Sequence, residues 1–402
     1  MRLVLVIPTY WGRRSGEPML EGDACYDHPT CIDQPGTLSR ALESVRILRH
    51  DDLKVVVIGA AVAPELEEEM EEKVSSTVEA FKESFPVAFL GPGALQRIKA
   101  LLEEEAGRDA ASVLELRGYS NIRNVCLAAA CGLGAEAAVL FDDDEVYEDP
   151  AYLEKVEEVI GAEFNGHFVG GLAGVYVNAD GSIFLPPQKD WVFSCWPSVE
   201  SMNAAFSAVK VDEGLKVTPW VFGGNMVIHR ELFLRVAFDP RVTRGEDIDY
   251  LINARMLGYR FFLHPGLRVK HLPPPKTAPL WRRFREDVDR FIYTREKINS
   301  ELPEGWIRVR PEELDPYPGR FLREDLDDMV FKTCVLMGMS YLRQGDERGF
   351  SECMANLQRR DAVLDGYPPA LRYAEFLRAY RGCMGTMAAS RRIRAYLESL
   401  YN

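Results

Sequence analysis

No stretch of this 402-residue chain approaches the ~20 consecutive apolar residues that a membrane span requires, so an integral membrane protein is not expected. The first apolar run, in MRLVLVIPTYWGRR, is short and lacks a small-residue cleavage site, so it reads as a strand and not a signal peptide. An excess of cations is also missing. With 48 Lys and Arg against 62 Asp and Glu, the formal net charge is −14. That excludes a coat for nucleic acid or an anionic membrane while leaving room for a local basic pocket. The eight cysteines form no disulfide framework. Cys126 and Cys334 sit in apolar helical text, which fits free thiols in a reducing compartment, and a cytoplasmic location is expected. Cys25, His28 and Cys31 lie close together, but no fourth zinc ligand accompanies them. Internal repeats and low-complexity segments are absent too.

What the chain does have is an alternation of short buried strands and amphipathic helices. RLVLVIPT is a continuous apolar run ended by Pro8, the pattern of a buried parallel strand. Residues 11 to 36 form a long polar loop, of a length that is often functional inside a compact domain. Thr37 is placed to cap TLSRALESVRIL, whose Leu38, Ala41, Leu42, Val45 and Leu48 share one face. LKVVVIGAA is a second buried strand, followed by an acidic helix, a helical connector near 93–107 and the Ala-rich helix of RGYSNIRNVCLAAACGLG. This pattern predicts an α/β layer of βαβ units, with ligands beyond the carboxyl ends of the strands. HFVGGLAGVYVNADGSIFL predicts a hairpin turning at Ala-Asp-Gly. TPWVFGGNMVIHRELF predicts a strand interrupted at Gly223-Gly224. The prolines at 273–275 mark an expected boundary between a site-bearing domain, 1–275, and a helical region, 276–402.

AAVLFDDDEVYEDP runs a buried strand into Asp142, Asp143, Asp144 and Glu145. Asp142 and Asp144 are two positions apart, so continued extended geometry would turn both carboxylates to one face. Such a pair shares a proton or holds a cation. Oxygen ligands select Mg2+ or Mn2+, whose remaining positions take water and substrate phosphates. A helix-starting role explains Glu148, Asp149 and Pro150 but not the pair upstream. Glu246 and Asp247 open a helix, where carboxylates either complement the dipole or act as a general base. His271 ends a strand before the prolines, as a satisfied structural histidine or as a ligand.

VIPTY, GYSNIRN, LFDDDE, FGGNMVIHRELF, RGEDIDYLINARMLGYR and a late strand-end histidine occur here in the order found in nucleotide-sugar glycosyltransferases of the GT-A fold. Residues 1–275 resemble the family 2 group in particular. The resemblance implies a Rossmann-like α/β/α sandwich with a mixed central sheet. The helical region 276–402 lies outside it and is read as a C-terminal extension that covers the acceptor site, forms a homodimer, or does both. It implies that Pro8, Thr9, Tyr10, Arg123, Asn124, Asp142 and Asp143 meet the nucleotide. It places Asp142, Asp144 and His271 around Mn2+ or Mg2+, and Gly223, Gly224 and Asn225 against donor and acceptor sugars. Asp247, with Glu246 beside it, would be the catalytic base. The implied reaction moves a hexose from a nucleoside-diphosphate sugar, UDP- or GDP-linked, to a hydroxyl acceptor. Inversion follows if Asp247 is the base on the far side of the sugar, and retention occurs in relatives that carry similar motifs.

Two features depart from the family. VVVIGAAVAPE replaces the acidic strand end that commonly reads the base, so Gly59 and Ala60 offer only backbone groups there. The loop at 11–36 is longer than the usual turn, and it carries Asp23, Asp27 and His28 to the donor, to the acceptor or into a lid. Two other functions stand beside this one. A sugar-nucleotide nucleotidylyltransferase would show glycine-rich sequence after the first strand, where this chain has Pro-Thr-Tyr-Trp. A non-catalytic nucleotide-sugar binding protein would not need Asp142, Asp144, Asp247 and His271 together.

Overall fold

Alternation along the strands decides the layers. In the computed structural model, which describes residues 1–210, 214–276 and 278–402, strand β1 (Leu3–Gly12) is buried along its whole length. Val4 and Val6 enter one apolar core, and Leu3, Leu5 and Ile7 enter another. Helices must therefore cover both faces, as continuous apolar strands require. Strands β2 (Lys54–Ala61), β3 (Val87–Leu90) and β4 (Ala137–Leu140) lie parallel to β1 in the order β3-β2-β1-β4. Beyond β4 come β7 (Met226–His229), β6 (His167–Val177), β8 (Arg260–His271) and β5 (Glu145–Val146), in that spatial order. β7 runs antiparallel to both of its neighbours, β8 runs parallel to β6, and β5 antiparallel to β8. The chain is thus an α/β/α sandwich around a mixed sheet.

Helices α1 (Leu38–Val45) and α2 (Glu67–Glu79) cover one face, α3 (Pro92–Ala106) and α4 (Tyr119–Gly132) the other, and α5 (Tyr152–Val159) returns to the first. α4 is buried nearly all round, from Ile122 to Gly132, because more helices lie outside it. A Cβ at Gly132 would come within 2.4 Å of Leu397, so this close approach needs a glycine. α6 (Ser198–Phe206) and α7 (Glu246–Met256) join the same core. So do the C-terminal helices α8 (Leu280–Asn299), α9 (Leu326–Arg343), α10 (Pro369–Ala389) and α11 (Arg391–Ser399). The hydroxyls of Tyr373 and Tyr380 on α10 donate to the carbonyls of Ala237 and Phe233, each at 2.8 Å. Residues after 276 therefore build an outer layer on the core that carries α4 and α7. No described helix is long and apolar enough to cross a membrane. All eight cysteines are free, with Cys126 and Cys334 buried.

Two local expectations come out differently. The Ala-Asp-Gly turn forms, with Asn178 N–H donating to Ser182 O at 2.8 Å, but the return strand does not. Both edges of β6 are already taken by β7 and β8, so the chain leaves the sheet and runs beside α6. Thr37 precedes α1 without closing the cap through its side chain. The long loop 11–36, by contrast, is well tied down. Arg13 pairs with Asp23 at 2.6 Å and Arg282 donates to Asp23 O at 2.8 Å.

One buried ion cluster joins α7 to α8. Lys297, fully buried, contacts Asp239 at 2.9 Å and Asp249 at 2.6 Å, and donates to Asn253 Oδ1 at 3.0 Å. Replacing it strands two buried carboxylates without their cation. Lys297→Met is expected to cost about 3–5 kcal/mol of stability, read as a lower denaturant midpoint; an unchanged midpoint would show that the cluster contributes nothing net.

Candidate active site

A cavity of about 400 Å³ opens at the carboxyl ends of β1 and β4. Its lining comes from the turn after β4, the first turns of α4 and α7, the end of β8, the long loop and α8. The acidic run does not continue as a strand. β4 stops at Leu140 and the chain turns through Asp143 and Asp144, so the four acids separate.

Asp142 turns to Arg123 on α4. The guanidinium makes a two-pronged contact with it, Nη1 to Oδ1 at 2.7 Å and Nη2 to Oδ2 at 3.0 Å. The same guanidinium reaches Glu246 Oε1 from Nε at 3.3 Å. Burial works against the Arg123 charge, yet Asp142, then Tyr10 and Glu246, hold its pKa above the ordinary value. Asp143 turns inward, where Thr9 Oγ1 donates to its Oδ2 at 2.6 Å. Burial, and then the Asp144 charge, push its carboxyl well above the usual range. Glu145 is wholly buried and raised in the same way, by burial and then by Asp142. Its Oε1 would stand 2.1 Å from a Cβ at Gly224, which is why that position admits only glycine.

Asp144 faces the cavity with His271. Antiparallel pairing sets His271 opposite Glu145 across β8 and β5, and this leaves His271 Nε2 3.5 Å from Asp144 Oδ2. Tyr176 fixes the imidazole plane, stacking on His271 at 4.6 Å and on Phe222 at 4.0 Å. The Tyr176 hydroxyl accepts from Gly224 N–H at 3.1 Å. Among the described residues no group of three His, Cys, Asp or Glu side chains forms a metal site by itself. Asp142 is held by Arg123, so a cation here would have Asp144 and His271 as its two protein ligands. Their 3.5 Å separation is that of neighbouring donors on one divalent ion, and an acid–imidazole pair fits one that completes its shell with water and phosphate oxygens.

Across the cavity α7 presents the second pair. Asp247 accepts Gly223 N–H on Oδ2 at 3.0 Å and Ile248 N–H on Oδ1 at 2.7 Å. Burial raises its pKa. Burial, and then the Asp247 charge, push Glu246 up to about 7, against the pull of Arg123. Gly223 has no room for a side chain, since a Cβ would lie 2.6 Å from Arg123 Nη2.

Not every residue expected here reaches the cavity. Tyr10, Arg123, Asp142, Asp143, Asp144, Gly223, Glu246, Asp247 and His271 line it. Pro8 is paired with Ile58 inside the sheet, and Thr9 serves Asp143. Asn124 turns the other way: it donates to Phe238 O and accepts Phe238 N–H, both at 2.9 Å, which pins a core loop. Asn225 is a core staple as well. It accepts from the Tyr152 hydroxyl at 2.7 Å and donates to Val175 O and Leu267 O at 3.1 Å.

The cavity also gains Tyr119, Tyr176, Arg244, Lys276 and Arg290. Arg244 lies in the same RGED stretch as Glu246, so its place was readable. It bridges Asp27 of the long loop and Asp287 of α8, each at 3.0 Å. Arg290 sits mid-helix on α8 and carries no local signal. Tyr10, Tyr26 and Tyr119 pack together with ring centroids 4.6–5.0 Å apart, and the Tyr119 hydroxyl accepts Asp27 N–H at 2.6 Å. The long loop thus forms one wall of the cavity, with His28 anchored on Pro274 O at 2.7 Å.

The fold and site together define an α/β/α protein with a strand-end cavity lined by the Asp144–His271 pair and the Glu246–Asp247 pair. No family model and no curated protein sequence matches the chain. Among solved structures, it is similar to a mannosyltransferase from Pyrobaculum calidifontis in complex with GDP-Man and Mn2+, at 15% identity and a TM-score of 0.47, over 97% of this chain and 88% of that one. S. aureus TarS 1-349 gives 14% identity and a TM-score of 0.47, over 98% and 91% of the two chains. GalNAc-T7 with UDP, GalNAc and Mn2+ gives 15% and 0.40, over 76% and 52%. Likenesses at this level carry no argument about chemistry, which rests on the side chains.

Glu246 supplies a pH signature. Its folded-state pKa of about 7 is raised above the ordinary 4.5. The stability this contributes is therefore fully present below the unfolded pKa and lost as pH rises through about 7. Relative to Glu246→Gln, the wild-type chain should lose up to roughly 3 kcal/mol between pH 5 and pH 8, measured by denaturant unfolding. Parallel pH profiles for the two proteins would contradict this.

Proposed function

We propose that this chain is a GT-A-type glycosyltransferase of the family 2 kind, moving a hexose from a UDP- or GDP-linked donor to a hydroxyl acceptor with inversion. The observation that carries the reading is one cavity in which the Asp144–His271 pair and the Glu246–Asp247 pair both take part. The first suits a cation on a diphosphate; the second suits removal of a proton from an alcohol.

A divalent ion, Mn2+ or Mg2+, held by Asp144 and His271 would neutralise charge on the departing nucleoside diphosphate. The remaining work falls to the chain's own groups. Tyr10 and Arg123 lie at the strand-end side of the cavity, where a nucleotide binds in sheets of this type. Asp247 is oriented by the amides of Gly223 and Ile248, and burial makes it a stronger base than a solvated aspartate. In the proposed step it takes the acceptor's proton while the acceptor oxygen bonds to the anomeric carbon. The carbon–oxygen bond to the diphosphate breaks, and its electron pair leaves with the diphosphate. A single displacement of this kind inverts the anomeric centre. Glu246, held by Arg123, keeps a second ionisable carboxyl beside the base.

Incubation with Mn2+ and a panel of UDP- and GDP-sugars should release nucleoside diphosphate. Asp247→Asn is expected to lower that turnover about 10²–10⁴-fold while leaving nucleotide affinity within about twofold. Turnover that survives Asp247→Asn would remove it as the base, and absence of release or binding with any donor would overturn the transferase reading.

A further inference from the structure

The two residues that precede the Glu246–Asp247 pair are both held by α8, a helix of the outer layer. Arg244 meets Asp287 at 3.0 Å. Gly245 leads into α7 with φ +68° and packs against the guanidinium of Arg290. A Cβ there would collide with Arg290 Nη1, so the seat needs a glycine for room as well as for its left-handed backbone. Arg290 is clamped in turn. Its Nη2 contacts Asp287 at 2.9 Å and donates to the Tyr317 hydroxyl at 2.8 Å. Tyr317 is buried and meets Phe291 and Phe321 edge to face, so the clamp is built into the core of the outer layer. Arg290, Tyr317 and Asp247 all line the cavity.

The charge of Arg290 has a use as well as its position. Arg123 is committed by direct contacts to Asp142 and Glu246. Asp247 accepts the amides of Gly223 and Ile248, and among the described residues no cationic side chain bonds to it. A half-buried carboxylate so placed stays ionised more readily with a cation nearby.

We infer that Arg290, which lies outside residues 1–275, is a positioning residue for Asp247: it seats the Gly245 turn and supplies a fixed positive charge close to the base. The inference rests on the transferase reading above. Burial raises the Asp247 carboxyl, and after the Ile248 amide the Arg290 charge is the largest influence against that rise, ahead of Arg123. The other titratable groups around it are Glu246 and the Tyr317 hydroxyl. Two carboxyls this close release their protons as a pair, so the fall of turnover toward acid pH belongs to both. Loss of the Arg290 charge favours the protonated carboxyl and moves that acid limb to higher pH. Loss of the Asp287 charge leaves Arg244 and Arg290 less compensated and moves it to lower pH.

The test follows nucleoside diphosphate release by the full chain as a function of pH, with Mn2+ and whichever UDP- or GDP-sugar the panel selects. Arg290→Gln is expected to raise the acid limb by about one unit, a roughly tenfold loss of release on the acid side. Asp287→Asn should lower the limb, and Arg290→Lys should restore the wild-type profile. Affinity for UDP or GDP with Mn2+ should stay within about twofold in all three, because none of the substituted groups is a cation ligand. If Arg290→Gln fails to fold, Asp287→Asn decides, since lost packing alone does not move the limb downward. A limb that stays in place in Arg290→Gln, with turnover kept or lost equally at every pH, overturns the role of Arg290 and leaves the transferase reading intact. So does an Arg290→Lys profile that matches Arg290→Gln, or a limb unmoved in Asp287→Asn. A wild-type chain that releases nucleotide from no donor overturns the transferase reading itself.

Discussion

The guanidinium of Arg123 is the point on which the rest of the site depends. It is almost wholly buried, and it reaches Asp142 from two nitrogens and Glu246 from a third. Three elements meet there: α4 on the outer face of the sheet, the turn after β4, and the first turn of α7. A buried charge is tolerated only with partners and hydrogen bonds around it, so those elements cannot drift independently. The ion cluster of Lys297 repeats the device behind α7, tying it to Asp239 and α8. Between the two, the helix that carries Glu246 and Asp247 is fixed at both ends of its first half.

That constraint divides the acids of the opening turn. Asp142 neutralises Arg123, and Asp143 turns inward to accept from Thr9, its carboxyl raised by burial. Glu145 is buried beneath Gly224. Asp144 is left facing His271 across the cavity floor. One run of like charges thus becomes four groups in four environments, and burial and pairing decide the role of each.

Much of this was readable in the chain, for reasons that differ by element. β1, β2 and β4 announce themselves because a strand buried on both faces is a continuous apolar run. The clustering of Asp144, His271 and Asp247 followed from strand-end positions and motif order. Besides Pro8 and Thr9, which stay in the sheet, the side chains that turn away from the cavity are two amides. Asn124 and Asn225 stand beside site residues in the chain, but spacing cannot say that their hydrogen bonds go to Phe238, Val175 and Leu267. The missing return strand after the Ala-Asp-Gly turn has a similar cause. Local alternation does not show that both edges of β6 are already occupied. Arg290 had no signal at all, since only the docking of α8 brings it to the cavity.

The central proposal is that Asp142 serves Arg123 and that Asp144 and His271 would hold a divalent cation. Its most direct test is Mn2+ binding in the presence of UDP or GDP, followed by electron paramagnetic resonance in three variants. The account predicts that Asp144→Asn and His271→Ala each weaken Mn2+ affinity by about tenfold or more, and that Asp142→Asn leaves it within about threefold. Loss in Asp142→Asn equal to that in Asp144→Asn, with His271→Ala unchanged, would contradict it.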